Sequence, residues 1–226
     1  TVTVVDDDTG VGSKTATLTV KNVEPTVTAS FGAGTVDEGG TANLILDITD
    51  PGMLDTFTVT IDWGDGQTEV LTFPASVAGL PIPHVYVDDD PTGTASDSMA
   101  VTVSVEDDDT GSASTGASIT VINVEPTISA SFAPGNVDEG SPATLTLNID
   151  DPGVNDTFDV SIDWGDMVET LTGFFAGAQT ITHVYADDGP TTAPHDTYAV
   201  TIDVTDDDTG HASPAPATIT VDDVAP

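Results

Sequence analysis

Apolar and polar residues alternate along most of this chain. Thr41 to Ile48 places Ala42, Leu44, Leu46 and Ile48 on one face. Phe57 to Trp63 places Phe57, Val59, Ile61 and Trp63 on one face, with threonines and Asp62 opposite. Pro25 to Phe31, Glu69 to Phe73, His84 to Tyr86, Met99 to Val105 and Ser118 to Val121 read as further strands. Turn residues interrupt the alternation about every 8 to 12 residues, the pattern of a β-sandwich with one buried face per sheet. No stretch keeps helical periodicity.

Three of the predicted hairpins share a tip, Asp-Asp-Asp-Thr-Gly, at Asp6 to Gly10, Asp107 to Gly111 and Asp206 to Gly210. An alternating run precedes each tip: Thr1 to Val5, Val101 to Val105 and Thr201 to Thr205. Three consecutive carboxylates repel one another, and a hard cation is the natural compensation.

The chain repeats itself. Asn22-Val23-Glu24-Pro25-Thr26 returns at Asn123 to Thr127, Val36-Asp37-Glu38-Gly39 at Val137 to Gly140, Asp50-Pro51-Gly52 at Asp151 to Gly153, and Ile61-Asp62-Trp63-Gly64-Asp65 at Ile162 to Asp166. His84-Val85-Tyr86 returns at His183 to Tyr185. A period of about 100 residues is the size of a whole sandwich, not of a solenoid coil. Residues 25–125 and 126–226 are therefore expected to be two sandwiches. Residues 1–24 align with 102–125 and read as the last two strands of a preceding copy. No signal peptide is visible at the start, and the chain reads as a window from a longer tandem array. The copies differ in small segments only: Gly79 to Pro83 against Gly177 to Thr182, and Pro190 to His195.

Charge narrows the function. Thirty-nine acids face two basic residues, Lys14 and Lys21, for a net charge of −37. Nothing can neutralise phosphate, so nucleic acid is excluded as a partner. An anionic membrane surface is disfavoured for the same reason, and no apolar run approaches the roughly 20 residues that span a bilayer. The absence of cysteine removes any disulfide framework. Acids spread evenly would indicate a salt-adapted surface. Here they are grouped, also at Asp37-Glu38, Asp138-Glu139, Asp88-Asp89-Asp90, Asp150-Asp151, Asp187-Asp188 and Asp222-Asp223, which favours cation sites at loop ends.

Ile61-Asp62-Trp63-Gly64-Asp65-Gly66, then His84-Val85-Tyr86, then an alternating strand ending in Asp-Asp-Asp-Thr-Gly resembles a PKD domain (polycystic kidney disease repeat). That family carries Trp-Asp-Phe-Gly-Asp-Gly with a downstream His-x-Tyr. The second copy departs at Met167, which stands where the first has Gly66. The resemblance is strongest to tandem copies joined by Asn-Val-x-Pro-Thr in very large bacterial surface proteins. It implies an all-β fold of tandem immunoglobulin-like sandwiches arranged head to tail. It also implies an extracellular or cell-surface setting and a structural or adhesive role without catalysis.

The bland readings fit most other residues. Trp63 and Trp164 sit in alternating strands as core anchors rather than sugar platforms. His84 and His183 are placed to bond the neighbouring Asp turn rather than a metal. Asp62 and Asp65 recur on a turn without the cleft that a glycosidase needs. Asn155-Asp156-Thr157 matches a glycosylation sequon, a weak pattern.

In an immunoglobulin-like sandwich the loops collect at two poles. One pole of the first repeat carries Glu24, Asp50, Asp55, Asp107, Asp108 and Asp109. Its counterpart in the second carries Glu125, Asp151, Asp156, Asp206, Asp207 and Asp208. The opposite pole of the first repeat carries Asp37, Glu38, Asp65, Asp88, Asp89 and Asp90. Head-to-tail packing should bring that pole against the second repeat, across a short linker restrained by Pro126. Calcium, which takes about 6 to 8 oxygens, fits such a set better than magnesium. The expected function is a calcium-stiffened rod within a surface fibre or filament. Its partners would be neighbouring repeats of the same chain, or identical chains in a fibre. An adhesin module for a glycan or protein, or an accessory domain of a secreted hydrolase, is the alternative.

Overall fold

The computed structural model describes residues 1–189 and 193–224, and all that follows concerns those residues. Of the Pro190 to His195 segment, residues 190–192 lie outside them. No helix forms among the described residues, and none is long and apolar enough to cross a membrane.

The first sandwich is built from β3 (Thr26–Phe31), β4 (Thr35–Asp37), β5 (Thr41–Thr49), β6 (Phe57–Asp62), β7 (Thr68–Phe73), β8 (Val77–Val85), β9 (Ser96–Asp107) and β10 (Ser112–Ile122). One sheet runs β4-β10-β9-β6-β7 and the other β3-β5-β8. The second sandwich repeats this plan with β11 (Thr127–Phe132), β12 (Asn136–Asp138), β13 (Pro142–Asp150), β14 (Phe158–Asp163), β15 (Val168–Phe174), β16 (Gly177–Val184), β17 (His195–Asp206), β18 (His211–Ala212) and β19 (Ala217–Asp222). Its sheets run β12-β19-β17-β14-β15 and β11-β13-β16, with β18 on the flank of β17. Neighbours pair antiparallel except β4 with β10 and β12 with β19. These are the sandwiches expected from the alternation, in the tandem immunoglobulin-like arrangement that the PKD resemblance implies.

The inner faces are the apolar faces read from the sequence. Leu44, Leu46 and Ile48 of β5 meet Phe57, Val59 and Ile61 of β6 and Val101, Val103 and Val105 of β9, all buried, while Ala42 packs with Tyr86, Met99, Ile119 and Val121. Leu145, Leu147, Phe158, Val160, Ile162, Ile202 and Val204 form the second core. Trp63 and Trp164 are fully buried core anchors. Each has a histidine ring stacked on it, His84 at 4.3 Å and His183 at 4.7 Å between ring centres. The other edge of that histidine is pinned by the turn aspartate: His84 Nε2 lies 2.7 Å from Asp65 Oδ2, and His183 Nε2 lies 2.9 Å from Asp166 Oδ2. The Tyr86 and Tyr185 hydroxyls donate to the Trp63 and Trp164 carbonyls, at 3.1 and 3.0 Å. The Trp, His, Tyr and turn Asp thus form one structural stack.

One strand, β8, is longer than the alternation indicates, and two, β4 and β12, are new. β8 begins at Val77, although Gly79, Pro81 and Pro83 interrupt its pattern. It is an edge strand that pairs only with β5, so proline there removes no interior ladder bond. β4 and β12 are three-residue parallel strands that only a tertiary partner can specify.

β1 (Val2–Val5) and β2 (Val11–Lys14) form a separate hairpin. Val2, Val4, Val5 and Val11 are exposed on it. All three acidic tips share one turn. Asp107 Oδ1 accepts the N–H groups of Asp109 (2.9 Å) and Gly111 (2.7 Å). Asp6 receives Asp8 and Gly10, and Asp206 receives Gly210. The threonines Thr9, Thr110 and Thr209 sit at φ of 72°, 74° and 77°. A β-branched residue is strained there by about 1–2 kcal/mol, against about 0.5–1 kcal/mol for the extra freedom glycine loses on folding. Thr110→Gly is therefore expected to stabilise the first sandwich by roughly 0.5–1 kcal/mol in chemical denaturation.

Candidate metal centre

The two sandwiches meet through loops that their strand ends position. From the first come Glu38, after β4, and Asp88 and Asp89, after β8. From the second come Asp151 and Asp156, in the loop between β13 and β14, and Asp208, at the tip after β17. Small residues allow the close approach. A Cβ on Gly39 would lie 2.8 Å from the Pro152 ring, and Gly39 itself has φ of 67°. A Cβ on Gly153 would lie 2.5 Å from Glu38 Oε2. The Val154 N–H donates to the Val87 carbonyl (3.1 Å), and the linker Val124 N–H donates to Glu38 Oε1 (2.7 Å). Asn123, also in the linker, donates to Asp206 Oδ2 at 3.2 Å.

The carboxylates fall into three groups whose oxygens lie within 4.8 Å of one another: Glu38 with Asp88 and Asp89, Glu38 with Asp151 and Asp156, and Asp88 with Asp156 and Asp208. Asp89 is 0% exposed, Glu38 2%, Asp156 and Asp208 3% and Asp88 6%. No lysine or arginine is available after Lys21. Both oxygens of Asp89 and of Asp156, and one each of Glu38, Asp88 and Asp151, are buried without a hydrogen-bond donor. Buried charge without a partner is strongly unfavourable, and proteins normally pair it or coordinate it to a metal. The proton affinities record this. Burial, then Asp151 and its neighbours, pushes Glu38 up to about 7. Burial and the Glu38 and Asp151 charges push Asp156 up to about 8. Burial and the Asp89 charge push Asp208 up to about 7, and burial and the Asp88 charge push Asp89 up to about 6. Asp151 is also raised, first by burial.

An all-carboxylate set without histidine or cysteine suits a hard divalent cation. The orphaned oxygens make the fit specific, because each is an acceptor that nothing in the chain satisfies.

Two further groups sit at the outer poles. Asp50, Asp55 and Asp107 gather beside the linker residue Asn22, whose Nδ2 donates to Asp107 Oδ2 at 2.8 Å. Glu139, Asp187 and Asp188 gather at the far end of the second sandwich, where the Val224 N–H donates to Glu139 Oε1 at 3.1 Å. The sequence marks Glu139, Asp187 and Asp188 only as grouped acids, without assigning them to a pole. The repeat offsets of Glu38, Asp88 and Asp89 would have found them.

The other candidates are placed differently. Asp206 is committed to its own turn, whereas Asp107 closes its own turn and also belongs to the outer group, where the Asn22 hydrogen bond lowers its proton affinity. Asp108 and Asp207 accept the N–H groups of Thr56 (2.9 Å) and Thr157 (2.7 Å). Glu24, Asp37, Asp109 and Glu125 are exposed and lie outside every group of three.

No protein-family model matches the chain, and no curated protein matches it. Solved structures do. A PKD domain of an M14-like peptidase from a Thermoplasmatales archaeon is 26% identical and covers 44% of this chain and 91% of its own, with a TM-score of 0.30. A tetra-tandem repeat from the extending region of a large adhesion protein is 16% identical, over 89% of this chain and 50% of its own, with a TM-score of 0.45. The adhesin InvE of Yersinia pseudotuberculosis is 12% identical, over 86% of this chain and 58% of its own, with a TM-score of 0.37. The chain thus spans about half the length of these two adhesion structures.

Proposed function

We propose that this chain is a non-catalytic, extracellular structural segment of a longer tandem-repeat surface protein, stiffened by calcium at the junction between repeats. The carrying observation is the set of buried carboxylates, drawn from both sandwiches, that no donor or cation of the chain satisfies. Calcium is favoured over magnesium because the donors are numerous, anionic and largely shielded from water, while magnesium keeps several waters in strict octahedral geometry. Residues 1–24 act as the closing hairpin of a preceding repeat, and Glu38 and Asp88 act as ligands that the linker and loop hold in place.

The stiffening follows from the geometry. Glu38 is tied to the linker through Val124, so an ion on Glu38, Asp151 and Asp156 fixes linker and both sandwiches together. At about 1 mM calcium and a dissociation constant of roughly 0.1–1 mM, each ion contributes roughly 0.4–1.4 kcal/mol. That suffices to remove a hinge without making the interface irreversible.

The chain has no cysteine, so Thr72→Cys and Thr170→Cys place one spin label on an exposed strand position of each sandwich. Calcium is expected to give one narrow distance distribution, and chelator a distribution several ångströms broader. Equal widths in both conditions at fixed ionic strength would reject the calcium-stiffened rod.

A further inference from the structure

The three groups of carboxylates at the junction are not alternative descriptions of one site. Glu38, Asp88 and Asp156 each belong to two groups, and any two groups share one of these three residues. Asp89, Asp151 and Asp208 each belong to one group only. The arrangement is a triangle of shared carboxylates with one further carboxylate on each edge. Calcium holds its oxygens at 2.3–2.6 Å, so oxygens on one ion lie no more than about 5 Å apart. Asp89, Asp151 and Asp208 share no group, although Asp89 and Asp208 approach each other, so a single ion would leave at least one of the three orphaned.

Charge leads to the same place. Six ionised carboxylates carry six negative charges, and one divalent ion leaves four of them uncompensated in a site that is nearly closed to water. A carboxylate has two oxygens and can bridge two cations. Asp156 has both oxygens free for this, and Glu38 and Asp88 each have one oxygen without a donor.

We infer that the junction is a polynuclear site that holds at least two divalent cations, bridged by Glu38, Asp88 and Asp156 and flanked by Asp89, Asp151 and Asp208. This rests on the proposed calcium-binding role of the junction and specifies its stoichiometry. Bridging couples the ions, so that loading one organises a carboxylate for the next, and the junction locks over a narrow range of calcium.

The test is equilibrium dialysis with calcium on the full chain, against the variant Glu38→Gln, Asp88→Asn, Asp156→Asn. The outer poles are intact in both, so the difference counts junction ions alone. A difference of two or three ions per chain is the expected result. A difference of one overturns the polynuclear site and leaves the calcium-stiffened junction standing. A difference of zero removes calcium from the junction and with it the proposed function. The single variants Asp89→Asn, Asp151→Asn and Asp208→Asn give a second reading that does not depend on the triple variant folding. In a polynuclear site each weakens binding while at least one junction ion remains. If only one of the three alters binding, the site is mononuclear.

Discussion

Asp156→Asn is expected to raise the melting temperature in chelator and lower it in calcium. In the absence of a cation, Asp156 is a buried carboxylate with neither oxygen bonded, facing Glu38 and Asp151. Asparagine keeps the shape and removes the charge. The relief is about 1–3 kcal/mol, the scale of an unsatisfied buried group, or on the order of 5–10 °C for a domain of this size. In calcium the same change removes an anionic ligand shared by two of the three carboxylate groups, and the variant should melt below the parent. The reversal is diagnostic. A stabilised variant in both conditions would mean that no cation uses Asp156. Stabilisation of the parent by sodium chloride as well as by calcium would mean that the acids answer to ionic strength alone. Melting curves for both proteins at pH 8, with calcium or chelator at constant ionic strength and again with added sodium chloride, decide among these.

Much of this architecture is legible in the amino-acid order, because its causes are local. Alternation places Leu44, Leu46, Phe57 and Val59 inward, and the structure buries all four. Alternation places Trp63 and Trp164 as core anchors and sets His84 and His183 beside the Asp turn, and the structure shows both. Grouping loops by pole brings Glu38, Asp88 and Asp89 toward Asp151 and Asp156, and the structure places them together. The division of labour within the Asp-Asp-Asp-Thr-Gly tip is not legible. Three identical side chains meet three fates: Asp206 closes its own turn, Asp207 holds the Thr157 N–H, and Asp208 enters the junction. Only the turn's backbone, with Thr209 at positive φ, decides which carboxylate points where. Nor is β8 legible from pattern, because its prolines read as a loop until β5 supplies a single partner edge.

Without calcium, the protein should lose stability as pH rises from about 5.5 to 8, and with calcium it should gain. Glu38, Asp156 and Asp208 bind protons in the folded state with affinities near 7 to 8, and Asp89 near 6. In the unfolded chain the same groups have ordinary values near 4. The folded state therefore holds more protons through this window. Linkage makes stability fall with rising pH wherever that is so, by about 1.4 kcal/mol per pH unit for each extra proton. The penalty is absent below the unfolded values and complete above the folded ones. A fall on the order of 20 °C across the window is expected in chelator. Calcium inverts the sign, because protons compete with it for the same oxygens and ligand carboxylates must be ionised. Asp156→Asn leaves the four histidines in place and should flatten the chelator curve, which isolates the junction's share. Parallel pH curves with and without calcium would show that the buried acids at the junction are not where the cation binds.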